Sequence, residues 1–314
     1  MSEEEKYKGQ RLKRTPIQES AIAGNKACVA VFCQRMYIID CLPDSERSFD
    51  TNIRQQVIDI HNAKKYMQWG MCYIRVSDAA GLLKALSLVC EQATERIPLI
   101  HFEAHGDPVK GLEVSTSSEF VDWKTLSDQL RKINLACRGF LGVVAASCYG
   151  FRLAQDVDIK KPSPFSFLLA SPETPTIGYL QENFPGFYKT LFETRNLDAA
   201  CVHFAKGKES NSMLPLFLLF TVENLVAEKF LEYLRENCSA KDRNGRVNDM
   251  ITRYRGDFGE FAGSKLSEVR KAAKTVTAPD NQISLFKKLA SGFLAGRPWL
   301  ISLEEISETF YRRN

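Results

Sequence analysis

The sequence predicts an α/β protein with a mainly parallel sheet flanked by helices and a C-terminal helical extension. Three observations lead to this class. Short runs rich in β-branched and aromatic residues alternate with amphipathic runs over residues 23–236. Ser77 and Asp78 stand directly before one amphipathic run, where helix N-caps are expected. Residues 237–314 show helical spacing, as in Asp249–Lys274 and Asp280–Ala295. Strands that alternate with helices are typical of a parallel sheet covered on both faces.

The individual elements follow from the period of the apolar residues. Apolar runs that are short and rich in Val, Ile, Phe and Tyr predict strands, and apolar spacings of three and four predict helices. The predicted strands are Cys28–Cys41 (one strand or two short ones), Met71–Val76, Pro98–Ala104, Gly139–Ser147 and Thr174–Leu180. The predicted helices are Ser48–Tyr66, the residues that follow Asp78, Asp122–Ile133, Val222–Glu236 and Leu300–Tyr311.

Composition and charge limit the possible classes of protein. With 314 residues the chain is long enough to bury a substantial core, and its net charge of +4 does not by itself indicate nucleic acid or a membrane surface. Residues 1–22 are polar and predict a flexible N-terminal arm without a secretory signal. No apolar run is long enough to span a membrane. The nine cysteines have no regular spacing, so we expect a cytoplasmic protein with reduced thiols.

Two predicted strands end in chemically capable residues. One continues into His101–Asp107 (HFEAHGD), and the other ends in Ala145–Gly150 (AASCYG). Sites in parallel sheets form outside the carboxyl ends of the strands, so His105 and Cys148 would leave the sheet at one edge if their strands are neighbours. A cysteine attacks a carbonyl as the thiolate, and an imidazole can take its proton and later protonate a leaving amine. The sequence therefore predicts a Cys–His dyad.

The glycines near these two residues fit the same chemistry. Gly106 leaves its backbone N–H accessible, and together with the N–H of Cys148 it would stabilise a developing oxyanion. Gly150 permits a tight turn behind the nucleophile. His101 lies deeper in its strand, and His61 and His203 lie in helical runs, so they are not candidates for the base.

Other chemistry has less support. A metal site made of His101, His105 and a cysteine lacks paired ligand spacing, and no nucleotide-binding glycine motif occurs, so we expect no metal and no cofactor. Apolar patterns surround most of the remaining cysteines, which are expected to be core residues: Cys28, Cys33, Cys72, Cys90, Cys137 and Cys201.

His105-Gly106 and Cys148-Tyr149-Gly150 resemble the caspase-like cysteine peptidases, and most of all their bacterial CHAT-type branch. In that family a His-Gly follows one strand and a Cys-x-Gly follows the next. Residues 176–193 (TIGYLQENFPGFYKTLFE) resemble the strand and helix that come after, and Leu214–Phe220 resembles the last strand of the sheet. The resemblance implies a caspase-like peptidase domain over residues 23–236 that cleaves a protein substrate, in regulated proteolysis such as bacterial defence.

The chain also departs from the family. The caspase pattern Gln-Ala-Cys-Arg-Gly is absent, and Ala146 stands where metacaspases carry an acidic residue two positions before their cysteine. The residue preferred before the scissile bond therefore does not follow from the resemblance. Arg152 would favour an acidic residue there. The candidates for a pocket that selects Lys or Arg are Asp107, Asp156, Asp158 and Glu182.

A polar segment after Cys148 is a candidate for control of the activity. The polar segment Gln155–Ser166 is a predicted loop at the place where caspases carry their processing linker. We expect a latent enzyme that is activated by processing in this loop or by a protein partner bound to residues 237–314. One alternative is a catalytically inactive caspase-like module that binds a partner through its C-terminal helices. Another is a regulator that binds nucleic acid through those helices, although nucleic acid is not expected as a direct ligand.

Overall fold

A computed structural model describes residues 30–63, 69–155, 157–206, 217–237, 240–258, 265–298, 302–304 and 306–307. The predicted arm, most of the predicted helix Leu300–Tyr311 and the first part of Leu214–Phe220 lie outside these residues. The strands are β1 Arg35–Asp40, β2 Gly70–Arg75, β3 Pro98–Glu103, β4 His105–Asp107, β5 Gly111–Val114, β6 Glu119–Val121, β7 Gly142–Ala146, β8 Phe167–Ala170 and β9 Leu218–Thr221. The α-helices are α1 Arg47–Ala63, α2 Ala79–Gln92, α3 Trp123–Ala136, α4 Ile177–Thr194, α5 Leu197–Lys206, α6 Val222–Asn237, α7 Ala240–Phe258, α8 Leu266–Val276 and α9 Pro279–Ala290.

Six strands form the main sheet in the order β2-β1-β3-β7-β8-β9. The pairs β1–β2, β1–β3, β3–β7 and β7–β8 are all parallel. Every residue of β3, β7 and β8 is buried, as expected for central strands with helices on both faces. This topology confirms the predicted class, a mainly parallel α/β sheet flanked by helices and followed by further helices.

Polar side chains at the helix starts explain where three helices begin. The Asp78 carboxylate accepts a hydrogen bond from the N–H of Gly81, and that of Asp122 accepts one from Thr125. At α4 the Thr176 hydroxyl accepts from the N–H of Tyr179. Each cap accepts a hydrogen bond from a backbone N–H that has no partner within the helix, and such a cap typically stabilises the fold by about 1 kcal/mol.

Aromatic side chains from α4 and α5 form the core on one face of the sheet. Phe184, Phe187 and Tyr188 of α4 are fully buried. Phe184 and Phe187 contact Phe204 of α5, and Tyr188 stacks on Phe184. They belong to one cluster with β-strand residues such as Val144. Burying one such ring contributes roughly 1.5–3 kcal/mol, so α4 is firmly anchored to the sheet that carries the site.

The prediction of a strand over Thr174–Leu180 is wrong. That segment turns into α4, because Thr176 caps the helix and the buried side chains that follow recur at helical spacing. The strand at this place in the sheet is β8, a run of only four residues. The sequence also did not predict the small antiparallel sheet β4-β5-β6 between β3 and α3.

The chain divides into two compact units. One comprises residues 1–156 and 164–220, and the other comprises residues 157–163 and 221–314. In the second unit, Arg297 forms a buried ion pair with Glu223, and burial lowers the pKa of Arg297 to about 10. The predicted domain boundaries at 22/23 and 236/237 stay predictions. None of the helices in the described residues combines the length and apolar character that a membrane crossing needs.

Candidate active site

His105 and Cys148 follow neighbouring parallel strands at one edge of the sheet. Strand β3 ends at Glu103, whose Cα partner across the β3–β7 ladder is Ala146 at the end of β7. Each predicted catalytic residue lies two positions beyond its strand end. His105 is the first residue of β4 rather than the tail of β3, so the small antiparallel sheet helps to place it.

The backbones of the two loops are in direct contact. A β-carbon at Gly106 would overlap the carbonyl oxygen of Cys148, so only glycine allows this approach. The indole N–H of Trp123 donates to the carbonyl oxygen of Asp107 at 2.9 Å, which fixes the far end of β4. The structure therefore brings the predicted His-Gly and Cys-x-Gly motifs together.

A tight turn holds Cys148 in place. Tyr149 has a left-handed backbone (φ 57°, ψ 15°), a conformation that a large side chain rarely adopts outside a constrained turn. Its N–H donates to the carbonyl oxygen of Glu173 at 3.0 Å. At Gly150 a β-carbon would lie 2.8 Å from that of Ala145, so this glycine is required by close packing.

The thiol of Cys148 is neutral in this arrangement. Burial raises its pKa, and its own backbone N–H opposes that effect in part. Within the described ranges, no hydrogen bond joins the Sγ of Cys148 to His105. The backbone N–H of Cys148 also donates to no backbone carbonyl among those residues.

His105 has a carboxylate partner that the sequence did not predict. Its Nε2 lies 2.8 Å from Oε2 of Glu46, and the two side chains are 42% and 36% exposed. Glu46 ends a short 3-10 helix, Asp44–Glu46, that follows β1, and β1 is the neighbour of β3. Arg75 pairs with Asp44 at 2.6 Å and holds this segment at the sheet edge. An acidic residue just after a strand that precedes β3 was the available signal.

His101 is a core residue, as its depth in the strand predicted. It is 1% exposed, and its Nδ1 hydrogen-bonds the hydroxyl of Tyr188 at 2.6 Å. Its ring packs edge-on against Phe184. The remaining histidines have other partners, His61 the carbonyl oxygen of Trp69 and His203 the hydroxyl of Thr190.

Two buried acids at the same edge were also missed. Asp40 and Glu103 are cross-strand partners on β1 and β3, and both are 4% exposed. Asp40 accepts hydrogen bonds from the N–H of Leu42 and the hydroxyl of Tyr73. Nearby, desolvation and the charges of these two acids raise the pKa of Cys41. Over the residues that the structure describes, no group of His, Cys, Asp and Glu has the arrangement of a metal site.

The candidate substrate-binding residues that the structure describes lie on different elements of the chain. Asp107 lies on β4 with the base, and two backbone N–H groups, from Lys110 and Val109, lower its pKa. Asp158 is exposed in the second unit and accepts from the N–H of Lys160. Glu182 is exposed on α4. Arg152 is half-buried and donates a hydrogen bond to Gln155, while Asp156 lies outside the described residues.

Comparisons with known proteins find similarity in the solved structures. No protein-family model matches the chain, and no curated protein matches it. A solved structure of a secreted C11 cysteine protease from Bacteroides thetaiotaomicron, in complex with an irreversible peptide inhibitor, is similar at 10% sequence identity and a TM-score of 0.44. The similarity covers 65% of this chain and 70% of that one. We draw no conclusion about activity from a similarity of this size.

Proposed function

We propose that the chain is a caspase-like cysteine endopeptidase with Cys148 as nucleophile and His105 as general base. The narrower placement in the CHAT-type branch depends on the resemblance of the two sequence motifs. The observation that carries the proposal is the backbone contact of Gly106 with Cys148, because it places the His-Gly and Cys-x-Gly segments side by side. What is proposed for the site uses residues of the first compact unit alone.

The reaction follows from the roles of these groups. His105 takes the thiol proton of Cys148, and the thiolate attacks the carbonyl carbon of a peptide bond. The resulting oxyanion accepts hydrogen bonds from the N–H groups of Cys148 and Gly106. The imidazolium then protonates the leaving amine, and a thioester remains on Sγ. Water, deprotonated by His105, hydrolyses the thioester, which releases the new carboxylate and restores the thiol.

A latent resting state is part of the proposal. The pKa of Cys148 is raised by burial and not compensated by an imidazolium, so the resting thiol is a poor nucleophile. The chain leaves the first compact unit after the nucleophile turn, and residues 157–163 belong to the second. There the N–H of Ser163 donates to the carbonyl oxygen of Phe293 at 2.9 Å. The loop is thus held by the helical extension, and an activating partner of that extension would act on the segment that follows the nucleophile in the sequence.

Processing in the loop is the second proposed route to activation. Lys160 and Lys161 are both exposed and offer an accessible cleavage site. The proposed substrate is a protein of the cytoplasm. Among the candidate acids we place Asp107 first as the residue that selects Lys or Arg, because its backbone hydrogen bonds keep it ionised beside the base. The remaining candidates, Asp156, Asp158, Glu182 and Arg152, then have no direct role.

The test uses the full chain with a recognition sequence for a site-specific protease in place of residues 158–161. We expect the uncut variant to cleave a peptide library weakly and the cut variant to cleave it at least tenfold faster. The uncut replacement variant controls for the altered loop, and Cys148→Ala in the cut form controls for contaminating peptidases. Turnover that persists in Cys148→Ala would show that Cys148 is not the nucleophile. Equal activity before and after the cut would show that the chain is not latent.

A binding module without catalysis is the second candidate. It is favoured by the neutral thiol of Cys148 and by the pairing of His105 with Glu46 instead of the thiol. This candidate predicts no turnover in any form of the chain. It also predicts that a partner captured by the second unit binds Cys148→Ala and the unsubstituted chain with equal affinity.

A further inference from the structure

We propose that Glu46 is a positioning residue that orients His105 and so extends the Cys–His pair to a group of three residues. The proposal builds on the endopeptidase function and adds a residue to it. Glu46 lies within hydrogen-bond distance of His105, with 2.8 Å between Oε2 and Nε2. Three strands that are adjacent in the sheet, β1, β3 and β7, lead into the segments that carry Glu46, His105 and Cys148.

The position of Glu46 is fixed by the backbone rather than by chance contact. The N–H of Leu42 donates to the Asp40 carboxylate at 3.0 Å, and the N–H of Glu46 donates to the carbonyl oxygen of Pro43 at 3.2 Å. Asp40 is itself buried and held near Arg54 at 3.6 Å. A short segment anchored at its first residue delivers the carboxylate to the ring, so little freedom is lost when the hydrogen bond forms.

The carboxylate determines which ring nitrogen carries the proton. A carboxylate only accepts hydrogen bonds, so Nε2 of His105 must be protonated to bind Glu46. In the neutral ring the lone pair is then on Nδ1, and this nitrogen is the one that can accept the thiol proton. Once that proton has moved, the negative charge of Glu46 favours the imidazolium and therefore the thiolate.

The expected effect is moderate. A buried triad carboxylate is worth about 10⁴-fold in turnover in the best-studied serine peptidase. Glu46 and His105 are both partly exposed, so solvent screens their interaction. We therefore expect Glu46→Ala to lower kcat by roughly ten- to hundredfold. KM should change less than twofold, because Glu46 contacts the base and not the substrate.

Three variants separate positioning from a structural role. Glu46→Ala removes the acceptor and the charge. Glu46→Gln retains a carbonyl oxygen for Nε2 but loses the charge, and should retain activity between that of Glu46→Ala and the unsubstituted chain. Glu91→Gln, an exposed glutamate on α2, is the matched control and should leave kcat unchanged. Histidine ¹⁵N spectra should show the Nε2–H tautomer at His105 in the unsubstituted chain and a tautomer mixture in Glu46→Ala.

The experiment uses the loop-cleaved chain, in which an imidazolium is expected beside the thiolate. It measures kcat, KM and the rate of iodoacetamide alkylation of Cys148 at pH 7, read by mass spectrometry of its peptide. The proposal predicts a lower kcat and slower alkylation in Glu46→Ala. An unchanged kcat, an unchanged alkylation rate or an unchanged tautomer overturns it. The two proposals fail separately. If no form of the chain cleaves peptides, the endopeptidase function fails and alkylation and the tautomer decide the role of Glu46. If cleavage requires Cys148 but is unchanged in the Glu46 variants, only the positioning role of Glu46 fails.

Discussion

The α-carbon of Gly106 faces the carbonyl oxygen of Cys148 so closely that no side chain fits between them. This contact links two segments that follow different strands of the sheet. The contact explains why glycine follows the histidine, independently of any role of the Gly106 N–H in catalysis. It also makes the geometry of the site sensitive to a single methyl group.

The first prediction is that Gly106→Ala lowers kcat/KM by about a hundredfold, because displacing a reacting group by about 1 Å costs that much. The added methyl group must push the Cys148 backbone away. The matched control is Gly178→Ala on α4, where a β-carbon meets nothing within 4 Å. The control should keep full activity. Normal peptide cleavage by Gly106→Ala would show that the contact does not set the position of the nucleophile.

The second prediction separates the two histidines on this part of the chain. His101→Ala should cost about 2–4 kcal/mol of unfolding free energy, because it leaves a cavity and an unpaired Tyr188 hydroxyl in the core. His105→Ala should change the unfolding free energy by less than about 0.5 kcal/mol, since the ring is partly exposed, and should abolish cleavage. Urea unfolding and peptide turnover measure the two effects. The reverse pattern would make His101 the base.

The third prediction concerns the pH dependence of Cys148 alkylation. The folded-state pKa of the thiol is raised, so the thiolate forms only as the pH rises past the range of an ordinary thiol. In the resting chain the alkylation rate should rise about tenfold per pH unit from pH 7 to 9 without a plateau. After cleavage in the loop, an imidazolium beside the thiolate should produce a plateau near neutral pH. Identical profiles before and after cleavage would contradict latency.

The sequence predicted the parts of the site that depend on local pattern. The apolar period placed the strands before His105 and Cys148, and the parallel sheet brought their ends together as expected. The cap Asp78 correctly placed one helix start, and the apolar spacing of Asp122–Ile133 correctly placed another helix. These features follow from spacing of 2.0 or 3.6 residues and from capping chemistry, which are local properties.

Other features depend on tertiary contacts, and local pattern alone does not single them out. Glu46 looks like any surface acid until β1 is known to be the neighbour of β3. Strand β8 has four residues, too few for a period to be recognised, and the Tyr-Leu pair after Thr176 fits a strand as well as a helix. The inclusion of residues 157–163 in the second unit depends on contacts such as that of Ser163 with Phe293, far away in sequence.

The most direct measurement compares the loop-cleaved chain with its Cys148→Ala variant in cleavage of a peptide library. The substitution removes one small, half-buried sulfur beside a strand end, so stability should fall by no more than about 1 kcal/mol. We predict cleavage by the unsubstituted chain, no cleavage by Cys148→Ala, and a covalent adduct on Cys148 when an electrophilic peptide is added. Cleavage at the same rate by a folded Cys148→Ala variant, or no cleavage and no adduct in any form of the chain, would contradict the account.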